Sequence, residues 1–402
     1  MVQSGTTSSA GTGITSDQVI AIGRRAGLAA VGVTSAEVLE PARTTLHQRK
    51  AAGLAGDMQF TYRNPDRSTD PSRSLRNARS LIAAAWGYGP WSKPDGVLSQ
   101  GHQAGPLGTV ARYAWRDHYG DLAEAVQPIV AALEDAGHRA RVVADSNVLV
   151  DRNVAWRAGL GWYGKNANLL LPDAGSWFVL GAVVTDADLD PTGPPQPDGC
   201  GSCNQCIEDC PTGAIVAPGM VDATKCLAWL VQAGEPIPRH WREAVGDRLY
   251  GCDDCQTVCP PNRRADRDRS APGPEVDGSQ ATVDIHWVLD ATDEAILQRH
   301  GRWYIAGRDV DVIRRTALVV LGNVAEPPDL GVAPRLARYL THPNPLLRAH
   351  AVWAARRLGR QDLLPVDPDR DPSVMAERRG LVVARFGPQD WPDVDPAATR
   401  EP

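Results

Sequence analysis

Apolar and polar positions divide the chain into stretches of different period. SLIAAAWGY (80–88) is apolar on both alternating faces, which predicts a strand covered from two sides. WFVLGAVVTD (177–186) has the same character and is expected at the centre of a sheet, and RARVVAD (139–145) predicts a third strand. DLAEAVQPIVAALEDAG (121–137) places apolar residues at helical spacing, with Asp121 as cap and Gly137 as stop. Nearer the start, a helix from Asp17, as N-cap, to Arg25 leads through a turn at Gly27 into a strand over 29–33. Residues 1–15 are rich in Ser, Thr and Gly, without period, and read as a disordered tail.

Past residue 300 the period becomes helical. VIRRTALVVLGNVA, VAPRLARYLTH and LLRAHAVWAARRLG predict short helices separated by Pro and Gly, in the manner of HEAT pairs. Two polar stretches, DPTGPPQPDG (190–199) and NRRADRDRSAPGPE (262–275), read as linkers.

At 402 residues, 43% hydrophobic and 22% charged, the chain has the make-up of a folded protein of two or three domains. A net charge of -6 gives no global sign of nucleic-acid binding. Locally, Arg302 to Arg360 holds ten arginines against four acids, which suits either a solvated helix face or a phosphate-binding one. No apolar run is long enough to span a bilayer. Arg24-Arg25 precedes AGLAAVGV, but that run is short and leads straight into TSAEVLEPAR, against an export signal. A cytoplasmic location is expected.

All eight cysteines fall between Cys200 and Cys259. CGSCNQCIEDCP gives Cys200, Cys203, Cys206 and Cys210 the C-x2-C-x2-C-x3-C-P spacing, in which three thiolates wrap one four-iron cube and the fourth reaches another. CDDCQTVCP aligns with it through Cys252, Cys255 and Cys259, but Leu249 stands where a first cysteine belongs; Cys226 is free to fill the vacancy. The counting closes as one set of Cys200, Cys203, Cys206 and Cys259 and a second of Cys210, Cys226, Cys252 and Cys255. Disulfides would need an oxidising compartment, and zinc prefers paired C-x2-C knuckles. The expected fold class is α+β multidomain: a tail over 1–15, a mixed α/β domain over 16–190, a ferredoxin-like two-cluster domain over 191–275 and a helical HEAT-like domain over 276–402.

GLGWYGKN (159–166) satisfies G-x-x-x-x-G-K, yet Asn166 stands where a nucleotide loop needs a hydroxyl, and Trp162 and Tyr163 are bulky for a phosphate cradle. Asp145 ends a predicted strand. It reads either as a helix cap or as a proton donor at a pocket mouth.

The ordered blocks DSNVLVDRNVAWRAGLGWYGKNANLLL, GSWFVLG, CGSCNQCIEDCPTGAI and YGCDDCQTVCPPN resemble the epoxyqueuosine reductase family from residue 57 to 358. The resemblance implies reduction of the epoxide on a modified wobble base of tRNA, with base-off cob(II)alamin in the first domain fed by two [4Fe-4S] clusters. It implies Asp145 as the acid that protonates the departing oxygen. Cobalamin contacts would come from Arg67, Asp145, Asn168, Leu169, Leu180 and Asp253, and tRNA contacts from Arg152, Arg314 and Arg315. A monomer served by an external one-electron donor of ferredoxin or flavodoxin type is expected, with no membrane. Two departures stand out: Asp145 is followed by Ser146-Asn147-Val148, where the family often has Gly/Ala-Pro after the Ser or Thr, and in VARYAWRDHYG the pair His118-Tyr119 is transposed. The rival classes are a corrinoid reductive dehalogenase, usually exported and lacking such a tail, and a non-catalytic electron-transfer protein, in which Asp145 has no role.

Overall fold

The computed structural model describes residues 13–58, 60, 62–92 and 105–392. Residues 1–12 of the expected tail lie outside the described residues. The chain enters through α1 (Ser16–Arg25), and Thr15 rather than Asp17 is its N-cap: the Thr15 hydroxyl accepts from Gln18 N while Gln18 Oε1 accepts from Thr15 N. Gly27, at φ +87°, turns the chain into β1 (Ala30–Ser35). There follow α2 (Glu40–Ala51), the short α3 (Pro65–Ser68), β2 (Ser80–Gly87), β3 (Trp91–Ser92) and β4 (Leu107–Val110). The single helix expected over 121–137 is in fact two, α4 (His118–Ala125) and α5 (Gln127–Asp135). Asp117, not Asp121, caps α4 by accepting from Gly120 N. Pro128 explains the break, because its ring has no N–H and clashes with the carbonyl one turn back. β5 (Ala140–Ala144), α6 (Asp151–Arg157), β6 (Trp162–Tyr163), β7 (Leu169–Leu170) and β8 (Phe178–Thr185) complete this part.

Four of these strands form an antiparallel sheet in the order β1-β2-β8-β5. All of β8 is buried because both sheet faces are covered. Leu81, Ala83 and Ala85 point with Leu180, Ala182 and Val184 toward the α6 side. Ile82 and Ala84 point with Val179 and Val183 toward Val19, Leu122 and Ile129 on α1, α4 and α5. The strand alternation that sends neighbours to opposite faces is why these runs look uniformly apolar.

The cysteine-bearing part contains α7 (Gln205–Glu208), β9 (Ile215–Ala217), β10 (Met220–Val221), α8 (Leu227–Leu230), α9 (Arg239–Val245), β11 (Arg248–Tyr250), α10 (Asp254–Thr257) and α11 (Pro260–Arg267). The linker expected over 262–275 is therefore wrong in its first half. Asn262 is fully buried in α11: its Oδ1 accepts from Ser176 N at 2.6 Å, and its Nδ2 donates to Ser176 Oγ at 2.9 Å and Gln256 O at 2.8 Å.

The rest comprises β12 (Val276–Asp277), β13 (Thr282–Asp284), α12 (Ile285–Asp290), α13 (Asp293–His300), α14 (Asp311–Val324), α15 (Val332–Leu340), α16 (Pro345–Arg357) and α17 (Pro372–Arg379). β4 pairs parallel with β11 and antiparallel with β13, and β12 pairs parallel with β3. Strand pairing thus crosses both boundaries expected near residues 190 and 275. One apolar core joins Val110 and Trp115, Leu227 and Leu249, and the helices α12 to α17.

Candidate redox site

All eight cysteines are free thiols of intermediate exposure. The chain brings helix starts to them. Cys226 is the N-cap of α8 and Cys259 of α11, so the N–H groups of Ala228 and Trp229 favour a Cys226 thiolate and that of Asn262 a Cys259 thiolate. Ala214 N donates to Cys210 Sγ at 3.2 Å. Main-chain N–H groups at a helix start favour the thiolate, which is the form that binds metal. Burial works against it and dominates, pushing Cys252 up to about 12 and Cys259 to about 11. Bound iron is the kind of charge that offsets this cost.

Cys200, Cys203, Cys206 and Cys259 line one cavity of about 240 Å³, together with Trp162, Lys165 and Arg264. The other four also lie together: a thiolate at Cys210 would raise Cys226, one at Cys226 would raise Cys252, and thiolates at Cys252 and Cys226 would raise Cys255. Cys255 also feels Cys206, so the two sets adjoin. Among the described residues no three His, Cys, Asp or Glu side chains converge closely enough to grip one ion. Four thiols set around one cavity suit a multi-iron cube. The first set sits on the exposed loop of Gly201, Ser202 and Asn204, whereas the second adjoins buried Leu227 and Tyr250.

Asp145 follows the end of β5 at φ +45°, a left-handed conformation uncommon for any residue with a side chain. It is exposed on one side, but burial against the protein behind it, and then the charge of Asp117, raise its carboxyl above the usual range. Tyr119, Asp151 and Tyr250 all feel the Asp145 charge, and Tyr250 lies two residues before Cys252. The acid and the second thiol set therefore border a common region. Asp253, beside that set, accepts from Arg112 N at 2.7 Å and from Gln256 Nε2 at 3.3 Å, and burial raises it to about 6.

Arg67 is exposed on α3, and the next residue's carbonyl, Ser68 O, accepts from Val150 N at 3.0 Å, which sets α3 against the loop after Asp145. Arg152 is exposed and donates to Ala167 O at 3.3 Å. Asn168 lies in the turn before β7. Leu169 and Leu180 are 2% and 7% exposed within the same apolar cluster, so in this structure both are core side chains.

Residues 199–262 match the family described as a 4Fe-4S double cluster binding domain. A curated epoxyqueuosine reductase of Bacillus anthracis is 31% identical over 349 residues, 85% of this chain and 88% of that protein. The chain belongs to the epoxyqueuosine reductase family. A family relative from Alicycliphilus denitrificans is 33% identical over 82% of this chain and 94% of its own length. A crystal structure of epoxyqueuosine reductase with an epoxyqueuosine-modified tRNA-Tyr stem loop superposes with a TM-score of 0.78 at 27% identity, covering 90% of this chain and 96% of that one. The Bacillus subtilis epoxyqueuosine reductase, 26% identical with a TM-score of 0.77, has been seen with its catalytic aspartate loop swung out of the active site.

For this member of the epoxyqueuosine reductase family the expected tRNA contacts of Arg314 and Arg315 are corrected. Arg314 is buried and paired with Asp293 at 2.6 Å and Asp311 at 3.1 Å. Arg315 is fully buried and donates to Ala233 O at 2.7 Å, Leu230 O at 3.0 Å and Val231 O at 3.1 Å, closing the end of α8. The other arginines of 302–360 are also engaged: Arg335 and Arg338 with Asp290, Arg348 with Asp369, Arg357 with Glu243, Arg360 with Asp362, and Arg302, Arg308 and Arg356 with main-chain carbonyls. Sequence reasoning missed Arg112, although it quoted the RYA segment that contains it. Arg112 is buried, forks onto both oxygens of Asp266 at 2.7 and 3.0 Å, and lies 4.0 Å over the Trp177 ring.

Proposed function

We propose that this chain reduces epoxyqueuosine to queuosine at the wobble position of tRNA. Two [4Fe-4S] clusters bound by the two cysteine sets would pass single electrons, and cobalamin beside Asp145 would supply the low-potential reductant to the epoxide. The observation that carries this reading is the cavity framed by Cys200, Cys203, Cys206 and Cys259, adjoining the second cysteine set. Cobalamin fits what the site leaves unspent. Arg67 and Asn168 have no side-chain hydrogen-bond partner among the described residues. A ligand with a fringe of amides around an apolar plane uses such groups. Arg67, Asn168 and Asp253 would hold it, and Arg152 would face the RNA.

Removing the epoxide oxygen as water consumes two electrons and two protons. The chain's own part is the proton. An alkoxide leaves poorly, and the raised carboxyl of Asp145 keeps a proton where the oxygen departs, typically worth roughly 10²–10⁴-fold in rate. The HEAT-like helices, the three-part domain division, the monomeric state, the cytoplasmic location and a ferredoxin- or flavodoxin-type donor complete the proposal. Among the described residues no helix is long and apolar enough to cross a membrane.

Anaerobic reconstitution tests the reading. About eight irons per chain, a base-off spectrum on adding cobalamin, and conversion of epoxyqueuosine in tRNA are expected. Iron near four, or zinc in its place, overturns the ligand sets.

A further inference from the structure

GLGWYGKN, which resembles a nucleotide loop and is not one, lies between the two cysteine sets. β6 and β7 form a tight hairpin around it: Gly164 N donates to Asn168 O at 2.8 Å and Ala167, at φ +63°, donates to Gly164 O at 2.9 Å. Space dictates the glycines here. A Cβ at Gly161 would sit 2.0 Å from Leu170 O, and one at Gly164 would sit 2.3 Å from Leu170 Cδ1. The turn reaches both ways. Lys165 Nζ donates to Gly201 O and to Asn204 Oδ1, both at 2.8 Å, gripping the loop that carries Cys200 and Cys203. Buried Asn166 donates from Nδ2 to Cys255 O at 3.0 Å, gripping the other set. The main chain adds a third tie, from Gly219 N to Lys165 O at 2.9 Å.

We propose that Lys165 and Asn166 are positioning residues that fix the separation of the two clusters, and that the Lys165 ammonium raises the reduction potential of the outer one. The inference rests on the two-cluster reading. Lys165 lines the cavity of the outer set, and among the described residues it and Arg264 are the two cations there, with no carboxylate in the lining. Taking up one electron from an external donor makes a cluster more negative by one charge, with no bond made or broken. A fixed cation beside it favours the reduced form, as charge and hydrogen bonding do for such clusters generally. Asn166 carries no charge and acts through distance: it ties Cys255 to the same short turn that holds Gly201.

The test is a spectroscopic redox titration of the anaerobically reconstituted full chain. Lys165→Gln keeps a hydrogen-bonding end and loses the charge. The expected result is full iron content with one of the two waves moved to lower potential by about tenfold in electron affinity, about 59 mV for a one-electron couple, and the other wave in place. Lys165→Arg should restore the wave. Full iron with neither wave moved, or both moved equally, overturns the electrostatic half, and so does loss of iron without a shift. Asn166→Ala should alter the magnetic splitting between the two reduced clusters; an unaltered splitting overturns the spacing half. Should the unsubstituted chain take up no iron, it is the two-cluster reading that fails, not this one.

Discussion

At the scale of single residues Asp145 joins two unusual properties, a left-handed backbone and a carboxyl held above its usual range by burial and by Asp117. A general acid works in its protonated form. A raised pKa extends that form to higher pH, so turnover should be level at low pH and fall as pH rises through the shifted value. In Asp145→Asn the residual rate should be roughly 10²–10⁴-fold lower and lose this basic limb. A pH profile of epoxide reduction checks both, and an unchanged limb in the variant removes Asp145 from the proton step. The cysteines were legible in the sequence because ligand chemistry writes itself as spacing, and the structure brings together the residues that the spacing assigned to each set. The left-handed turn at Asp145 was not legible. Aspartate tolerates that conformation without requiring it, so its one-dimensional signal is the same as that of a helix cap.

At the scale of elements two misreadings share a cause: polar residues used as internal fasteners. NRRADRDRS looks like a solvated linker, yet Asn262 and Ala265 turn inward while Arg263, Arg264 and Arg267 stay outside. The buried face of α11 is held by an amide, a pattern that hydrophobic periodicity cannot see. Gly175, at φ +64°, makes room for it, since a Cβ there would lie 1.9 Å from Asn262 Oδ1. Asn262→Ala should strand Ser176 N and Gln256 O in the interior and cost about 2–3 kcal/mol. The expected outcome is a lower denaturation midpoint and faster iron loss from the set containing Cys259, both measurable by absorbance; an unchanged midpoint would mean that water replaces the amide. The same logic applies to α14, which was foreseen together with α15 and α16 from the repeat of apolar positions while the inward turn of Arg315 was not. Its guanidinium fork serves several carbonyls at the end of α8, the helix that Cys226 caps. Lysine has the charge but not the fork. Arg315→Lys should lower stability by about 2–4 kcal/mol in a denaturant titration, and equal stability would show that the fork geometry is dispensable.

Across the whole molecule the three expected parts are joined more closely than composition suggests. β4 lies between β11 and β13, and β3 holds β12, so two of the smaller sheets are built from strands of different parts. Distant strand pairing leaves no trace in local patterning, which is why the boundaries looked clean in the sequence. It also bears on how RNA is held. The arginine excess of 302–360 suited either a solvated helix face or a phosphate-binding one, but ion pairs and helix-end carbonyls engage it, and only Arg302, Arg308 and Arg338 among those ten are exposed. Arg152, by contrast, stands exposed next to Asp151, and its guanidinium donates a long hydrogen bond to Ala167 O. Phosphate contacts release counterions, and each contributes about 0.7–0.9 to the slope of log affinity against log salt. Arg152→Gln should therefore weaken binding of an epoxyqueuosine-bearing anticodon stem loop and make the slope shallower by about one contact. Arg314→Gln, which removes a cation already paired with Asp293 and Asp311, should leave the slope unchanged even where it lowers stability. Binding titrations from low to moderate salt separate the two: a shallower slope for Arg314→Gln, or none for Arg152→Gln, would place the phosphate face on the helices after all.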